Sequence, residues 1–91
     1  MKVVYKYPLS VGSITTVGLP PGAQVLCVKV QREQICMWVL QETSPKFPVG
    51  TCYRSFLVVG TGNPSEANIK EYHGTVMTPD HNFVFHVFEV M

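Results

Sequence analysis

Short apolar segments, most of them bounded by proline, glycine or polar turn residues, divide the chain into predicted strands. These segments are rich in β-branched and aromatic residues, which are typical of β-strands. Arg32-Glu33 predicts a tight hairpin, and the polar turn after Met77 predicts a second hairpin at the end of the chain. The predicted strands are residues 2–7, 14–17, 24–31, 34–41, 51–59, 70–77 and 83–90.

Several of these strands are apolar on both faces. Phe85 and Phe88 fall on opposite faces of the last strand, and in the third strand the alternation groups Leu26 with Val28 and Val30. A sheet with one face in water would instead alternate apolar and polar residues. We therefore predict an all-β or β-rich α+β fold. The expected form is a compact antiparallel β-sandwich or barrel whose apolar faces are covered by a second layer or another subunit.

Composition narrows the classes of protein. The 91 residues are enough for a single domain spanning 1–91. Hydrophobic residues make up 46% of the chain and charged residues only 14%, compared with roughly 25% charged in average proteins. The formal net charge of +1 argues against general nucleic-acid binding, which needs a basic stripe. The low charge predicts a homo-oligomer. No apolar run reaches the length of a membrane span, so no membrane partner is expected.

The cysteines and histidines form no recognisable catalytic or metal motif. Cys27, Cys36 and Cys52 are odd in number and contain no C-x-x-C pair, so we expect buried free thiols and a reducing, cytoplasmic location. No spacing matches a zinc module, and no cofactor is expected. A catalytic set of Cys52, His86 and Asp80 can be imagined, but no motif supports it. We therefore expect a protein that is not an enzyme.

Glycines interrupt the chain directly after the fifth predicted strand. Gly60 and Gly62 release the backbone from the strand. Asn63 then resembles a helix cap, Pro64 suits the first helical position, and Glu66 follows three residues after the cap. The sequence predicts one short helical turn after Gly62. A strand that runs through glycines into a helix start can point N–H groups at an anion.

This loop is the centre of the candidate ligand site. Its amides and the Thr61 hydroxyl would hold a phosphate, Arg54 would add a charged contact, and Trp38 would stack on a base. The alternatives remain a plain turn that requires glycine, a core tryptophan, and a packed His86 with one ring nitrogen hydrogen-bonded. The loop also lacks the lysine and third glycine of established phosphate-binding motifs. The candidate ligand-binding residues are Arg54, Gly60, Thr61, Gly62, Asn63, Trp38 and His86.

Motifs spread over nearly the full chain resemble a family of small uncharacterised proteins of tailed bacteriophages and prophages. Among them are Gly60-Thr61-Gly62, Tyr72-His73-Gly74-Thr75 and the ending Val84-Phe85-His86-Val87-Phe88-Glu89. Members often carry histidine where this chain has Asn63. The resemblance implies a phage-encoded accessory protein made in the cytoplasm of an infected bacterium. It carries no established catalytic residues.

This context leads to three functional hypotheses. The first is a non-enzymatic binding protein that sequesters a small anionic ligand, such as a nucleotide immune signal of the host. The second is a protein–protein inhibitor of a host defence or takeover target, acting through residues 42–50 and the terminal hairpin. The third is a small structural protein of the phage particle. Fold analogy alone does not choose among them.

Overall fold

A computed structural model describes residues 1–43 and 50–91, and this part of the chain contains strands and no helix. The β-rich prediction is confirmed, and each strand ends within two residues of its predicted limits. The strands are β1 (Lys2–Pro8), β2 (Ile14–Leu19), β3 (Gln24–Gln31), β4 (Gln34–Glu42), β5 (Cys52–Gly60), β6 (Ile69–Met77) and β7 (Val84–Val90).

The strands form two antiparallel sheets, ordered β1-β4-β3 and β2-β5-β7-β6. Within the described residues neither sheet closes into a barrel. The inner faces share one apolar core, to which β4 contributes Met37 and Val39 and β5 contributes Phe56 and Val58. All four side chains are fully buried. Each stabilises the fold by about 1.5–3 kcal/mol through burial of apolar surface.

The predicted hairpin between β3 and β4 is confirmed. Gln31 pairs with Gln34, and the two residues between them form the turn. Arg32 and Glu33 have φ angles of 50° and 66°, both in the left-handed region. This is the twist that a two-residue hairpin turn needs, and it is adopted here without glycine or asparagine.

A β-bulge in β3 changes which of its residues face the core. The pairing with β4 shifts between Val25 and Cys27, so Leu26 is the extra residue. Val25 packs against the core with Val28, whereas Leu26 is 46% exposed. The prediction that Leu26 shares a face with Val28 is wrong, because one added residue reverses the alternation on one side of the bulge.

Residues 61–68 cross the sheet from the end of β5 to the start of β6. Both strands pair antiparallel with β7, so they are parallel to each other and their connection must run back along the sheet. The short helical turn predicted after Gly62 is not formed. Asn63 N–H donates to Gly60 O at 3.1 Å and closes a turn instead. The connection has to span the length of the strands. Extended chain covers about 3.3 Å per residue and a helix only about 1.5 Å, so a short connection is extended rather than helical.

This crossover covers part of the outer face of the four-stranded sheet. Leu57 points away from the core, yet it is only 8% exposed. Pro64 and Ser65 of the crossover lie against Leu57 and Val59 around a shallow depression. The chain therefore supplies from its own connection some of the second layer that the two-sided apolar pattern of β5 requires.

A buried charge cluster connects the two sheets. Glu89 is 2% exposed, and its carboxylate oxygens accept hydrogen bonds from Arg54 Nε and Nη2 at 2.8 and 2.7 Å. Arg54 Nη1 also donates to Ala23 O at 2.7 Å, at the entrance to β3 in the other sheet. His73 Nε2 lies 3.0 Å from Glu89 Oε1. The Arg54 hydrogen bonds, opposed by burial and assisted by His73, lower the pKa of Glu89 to about 2.

The two sheets come close together at a glycine of β6. A Cβ atom added at Gly74 would lie 2.5 Å from Val28 Cγ2 on β3. No carbon pair sits at this distance without displacement of one backbone or side chain. Gly74 therefore permits the contact between β6 and β3, which is where the two sheets meet at one side.

Removing Arg54 should destabilise the fold because it leaves the Glu89 carboxylate buried without its main partner. We expect Arg54→Ala to lower the free energy of unfolding by about 3 kcal/mol, measured by chemical denaturation. Lys70→Ala is the matched control. Its Nζ lies 4.0 Å from the same carboxylate but its side chain is 61% exposed, so the loss should stay below about 1 kcal/mol. Equal losses for the two variants would contradict this role.

Acid should weaken the fold through Glu89. The folded-state pKa of about 2 lies below the ordinary value of 4.5. The pair therefore contributes its full stability above that ordinary pKa and loses it as pH falls toward 2. The contribution is about 3 kcal/mol. The difference in unfolding free energy between the wild type and Glu89→Gln should shrink across this window. Curves that stay parallel would show that Glu89 ionisation is not linked to folding.

Gly74→Ala should cost about 1–3 kcal/mol because the new methyl group overlaps Val28. The substitution can be combined with Val28→Ala, which removes the atom that the methyl group would meet. The double variant should then be less destabilised than the sum of the two single variants. Strict additivity in thermal or chemical unfolding would argue that the two residues do not meet.

Candidate functional site

The structure does not bring the sequence-predicted site residues together. Arg54 and Gly60 both lie on β5, but six residues apart, which is roughly 20 Å along a strand. Trp38 belongs to β4 in the other sheet. His86 lies on β7 opposite Val59 and is close to the glycine turn. The candidates therefore fall into three separate places.

The glycine turn uses its own backbone donors. Thr61 N–H donates to Val84 O at 3.1 Å, and Asn63 N–H donates to Gly60 O at 3.1 Å. Gly62 has a φ angle of 84°, which accounts for glycine at that position. The plain-turn interpretation explains these contacts, since the Thr61 and Asn63 N–H groups already donate to carbonyl oxygens of β7 and of the turn and do not converge on an anion.

His86 fastens this turn to β6. Its Nε2 lies 2.7 Å from Thr61 Oγ1, and its Nδ1 lies 3.0 Å from Thr75 Oγ1. The ring thus has a hydrogen-bonding partner at both nitrogens. The packed-histidine alternative had one ring nitrogen hydrogen-bonded, whereas His86 is partly exposed and has partners at both nitrogens. The contacts hold the start of the crossover against the sheet.

Arg54 is partly buried, and its main hydrogen-bonding partners lie within the fold. Its three guanidinium nitrogens donate to Glu89 and to Ala23 O. The hydrogen bonding to Glu89, opposed by burial, raises the pKa of Arg54 above its ordinary value. Three of its five N–H donors are therefore already used within the protein. Arg54 is therefore a structural cation in this arrangement.

A cluster of Glu71, His73 and Glu89 was not singled out from the sequence. Their potential ligand atoms lie within 4.8 Å of one another. The register pairs Glu71 on β6 with Glu89 on β7. Sequence spacing alone does not reveal this pairing, so the cluster could not be predicted from the sequence. A cation here would compete with the Arg54 guanidinium for both oxygens of Glu89. In this structure the cluster therefore acts as an ion-pair network with Arg54.

Trp38 lies on the outer face of the three-stranded sheet. Met37 and Val39, its neighbours on β4, are fully buried in the core, so Trp38 points to the opposite side. It is partly exposed, and it pairs across the sheet with Lys6 on β1 and Cys27 on β3. We call this surface the tryptophan face. It includes Lys2, Val4, Lys6, Cys27, Lys29, Gln31, Cys36, Trp38, Leu40 and Glu42.

Lysines that are distant in sequence lie on the tryptophan face. Lys6 lies directly opposite Trp38, Lys29 lies opposite Cys36, and Lys2 lies opposite Glu42 at the end of the sheet. The three lysines are exposed. Glu42 is held by the amino group of Met1 at 2.9 Å. The surface around Trp38 therefore combines an aromatic ring with positive charge on both neighbouring strands.

The imagined catalytic set is separated in the fold. Cys52 begins β5, His86 pairs with Val59 near the other end of that strand, and Asp80 lies in the β6–β7 turn. Cys52 is exposed, so its predicted burial is wrong, whereas Cys36 is buried as expected. Cys27 is intermediate, and all three thiols are free.

The proposed interface loop is only partly described. Glu42 ends β4 and Gly50 precedes β5, while residues 44–49 lie outside the described residues. In the part of the chain that is described, no helix has the length and apolar character needed to cross a bilayer.

Comparison with known proteins identifies a family whose function is unknown. No curated protein and no solved structure matches the chain significantly. A family model described as a domain of unknown function, DUF7352, matches residues 1–91. Since the match covers every residue, the chain belongs to the DUF7352 family.

Proposed function

We propose that this protein is a non-enzymatic binding protein that sequesters a small anionic ligand with an aromatic base, of the nucleotide class, on the tryptophan face. The observation that carries the proposal is the position of Trp38 on the central strand β4, opposite Lys6 on β1, with Lys29 on β3 at the other side of β4. This site replaces the glycine turn as the place where we expect phosphate and base to bind.

The chemistry of the face suits such a ligand. A base that stacks on an aromatic side chain gains about 1–3 kcal/mol. Lysine ammonium groups attract phosphate as mobile point charges and keep three donors each. Lys6 Nζ donates to Gln31 Oε1 at 2.7 Å, and this exposed neutral contact is easily exchanged for a phosphate oxygen. Retention without turnover needs no general base at the site.

Self-association is part of this proposal. A flat sheet face covers one side of a base, whereas small-ligand sites bury most of the ligand surface. A second copy laid over the first would supply the other side. The lysines of two empty faces repel each other, and bound phosphate would neutralise them. We therefore expect a homo-oligomer whose formation is favoured by ligand.

The resemblance to phage proteins gives the binding a role. A phage-encoded protein in the host cytoplasm that retains a nucleotide signal would keep that signal from the defence system that responds to it. Tight binding and abundance suffice for this effect, and neither a cofactor nor catalysis is required.

Trp38 is the single tryptophan of the chain, so its fluorescence reports directly on the proposed site. We expect saturable quenching when linear and cyclic nucleotides are titrated into the full chain, with the strongest binder stabilising the fold by about 2.7 kcal/mol at a hundredfold excess over its Kd. Ribose phosphate and the free nucleoside serve as matched probes that lack the base or the phosphate. Light scattering in parallel measures association.

Lys6→Gln and Lys29→Gln should each weaken the best nucleotide several-fold, while Lys70→Gln on the other sheet should not. Trp38→Phe should retain weaker binding, measured by calorimetry. If no nucleotide quenches Trp38 or shifts the melting temperature, the proposed function fails. If binding survives both lysine substitutions unchanged, the site is elsewhere.

A further inference from the structure

A cleft lined by both apolar and polar residues opens at the end of the sandwich opposite the Arg54–Glu89 pair. Its volume is about 570 Å³, which is within the usual range for binding sites. Leu9 and Ile35 lie buried in its floor. Phe83 and Phe85 form one side, with ring centroids 6.3 Å apart and planes inclined by 18°. The walls come from the β3–β4 turn, the β1–β2 connection and the β6–β7 turn.

The floor of this cleft is held by hydrogen bonds. Leu9 N–H donates to Ile35 O at 2.8 Å. Gln34 Nε2 donates to Leu9 O at 2.9 Å and to Ile35 O at 3.1 Å. The polar groups of the floor are thus satisfied within the protein, and an apolar group can enter without leaving them unpaired.

Both ionisable side chains that line the cleft are acidic. Glu33 lies in the β3–β4 turn of the three-stranded sheet, and Asp80 lies in the β6–β7 turn of the four-stranded sheet. Each sheet therefore contributes one carboxylate to the cleft. Asp80 accepts hydrogen bonds from the Thr78 hydroxyl and the Asn82 amide. These hydrogen bonds, chiefly the one from Thr78, lower the pKa of Asp80. An anionic occupant would meet repulsion here, and a cationic one would be attracted.

The rim of the cleft is apolar and open to solvent. Phe83 is 60% exposed, and Val11 on the facing connection is also exposed. A small amine inside the cleft would leave this rim in water. A polypeptide segment can fill the cleft with one side chain and cover the rim with its neighbours, which favours a protein partner over a free small molecule.

We infer that this cleft binds a basic peptide segment of a partner protein, in which an aliphatic or aromatic side chain enters between Phe83 and the floor while adjacent lysine or arginine residues meet Glu33 and Asp80. This second site lies at the sandwich end, whereas the nucleotide site proposed above lies on the outer face of the three-stranded sheet. It selects the opposite ligand charge and does not depend on the nucleotide hypothesis.

The test uses the isotopically labelled full chain and three short capped peptides, Gly-Lys-Phe-Lys-Gly, Gly-Glu-Phe-Glu-Gly and Gly-Lys-Ala-Lys-Gly. Nuclear magnetic resonance titration should show shifts at residues 33–35 and 78–85 with the first peptide. We expect it to bind at least about fivefold more tightly than either control peptide, since both the charge and the apolar anchor contribute. Equal binding of all three, or binding of none, would overturn the inference.

Variants locate the site. Glu33→Gln should weaken the basic peptide about two- to fivefold, and Phe83→Ser should weaken it about tenfold. Glu66→Gln, at an exposed acid outside the cleft, is the matched control. Shifts confined to residues around Trp38 would also reject the cleft. Glu33→Gln should leave nucleotide titrations unchanged, so failure of one proposal is distinguishable from failure of the other.

Discussion

The buried carboxylate of Glu89 sets the constraint on which the arrangement of the two sheets depends. An ionised carboxylate inside an apolar sandwich is costly unless it is paired and hydrogen-bonded. Arg54 satisfies both oxygens and also reaches Ala23 O at the edge of the other sheet. The pair therefore fixes the register of β5 on β7 and the position of β3 in a single network. A guanidinium held in this way is part of the architecture.

The strand order imposes a second constraint with consequences for the surface. β5 and β6 lie on either side of β7 and both pair antiparallel with it, so they run parallel to each other and residues 61–68 must cross the sheet. That crossover covers apolar residues of β5 that would otherwise face water. The three-stranded sheet has no such cover over Trp38 in the described residues. Its outer face therefore remains a surface on which an aromatic ring and lysines can meet a ligand.

Sequence patterns predicted the strands well and the sites poorly. Strand limits follow from local apolar runs and turn residues, so β3, β4 and their hairpin were found almost to the residue. Leu26 was placed on the wrong face because a bulge leaves little trace in composition. The ligand site was drawn around Gly60 and Arg54, which share a strand yet stand at its opposite ends. Residues six apart on a strand are roughly 20 Å apart, whereas the groups that bind one small ligand must lie close together.

The sequence by itself determined an antiparallel β-rich domain with strands that need cover on both faces, because alternation and chain breaks are local properties. Only the tertiary structure decided how that cover is supplied and which charges meet. Glu89 pairs with Arg54 although the two residues are far apart in the chain. Strand pairing likewise places Lys6 and Lys29 on the same face as Trp38. Such encounters depend on strand order and register, which are set by packing of the whole core.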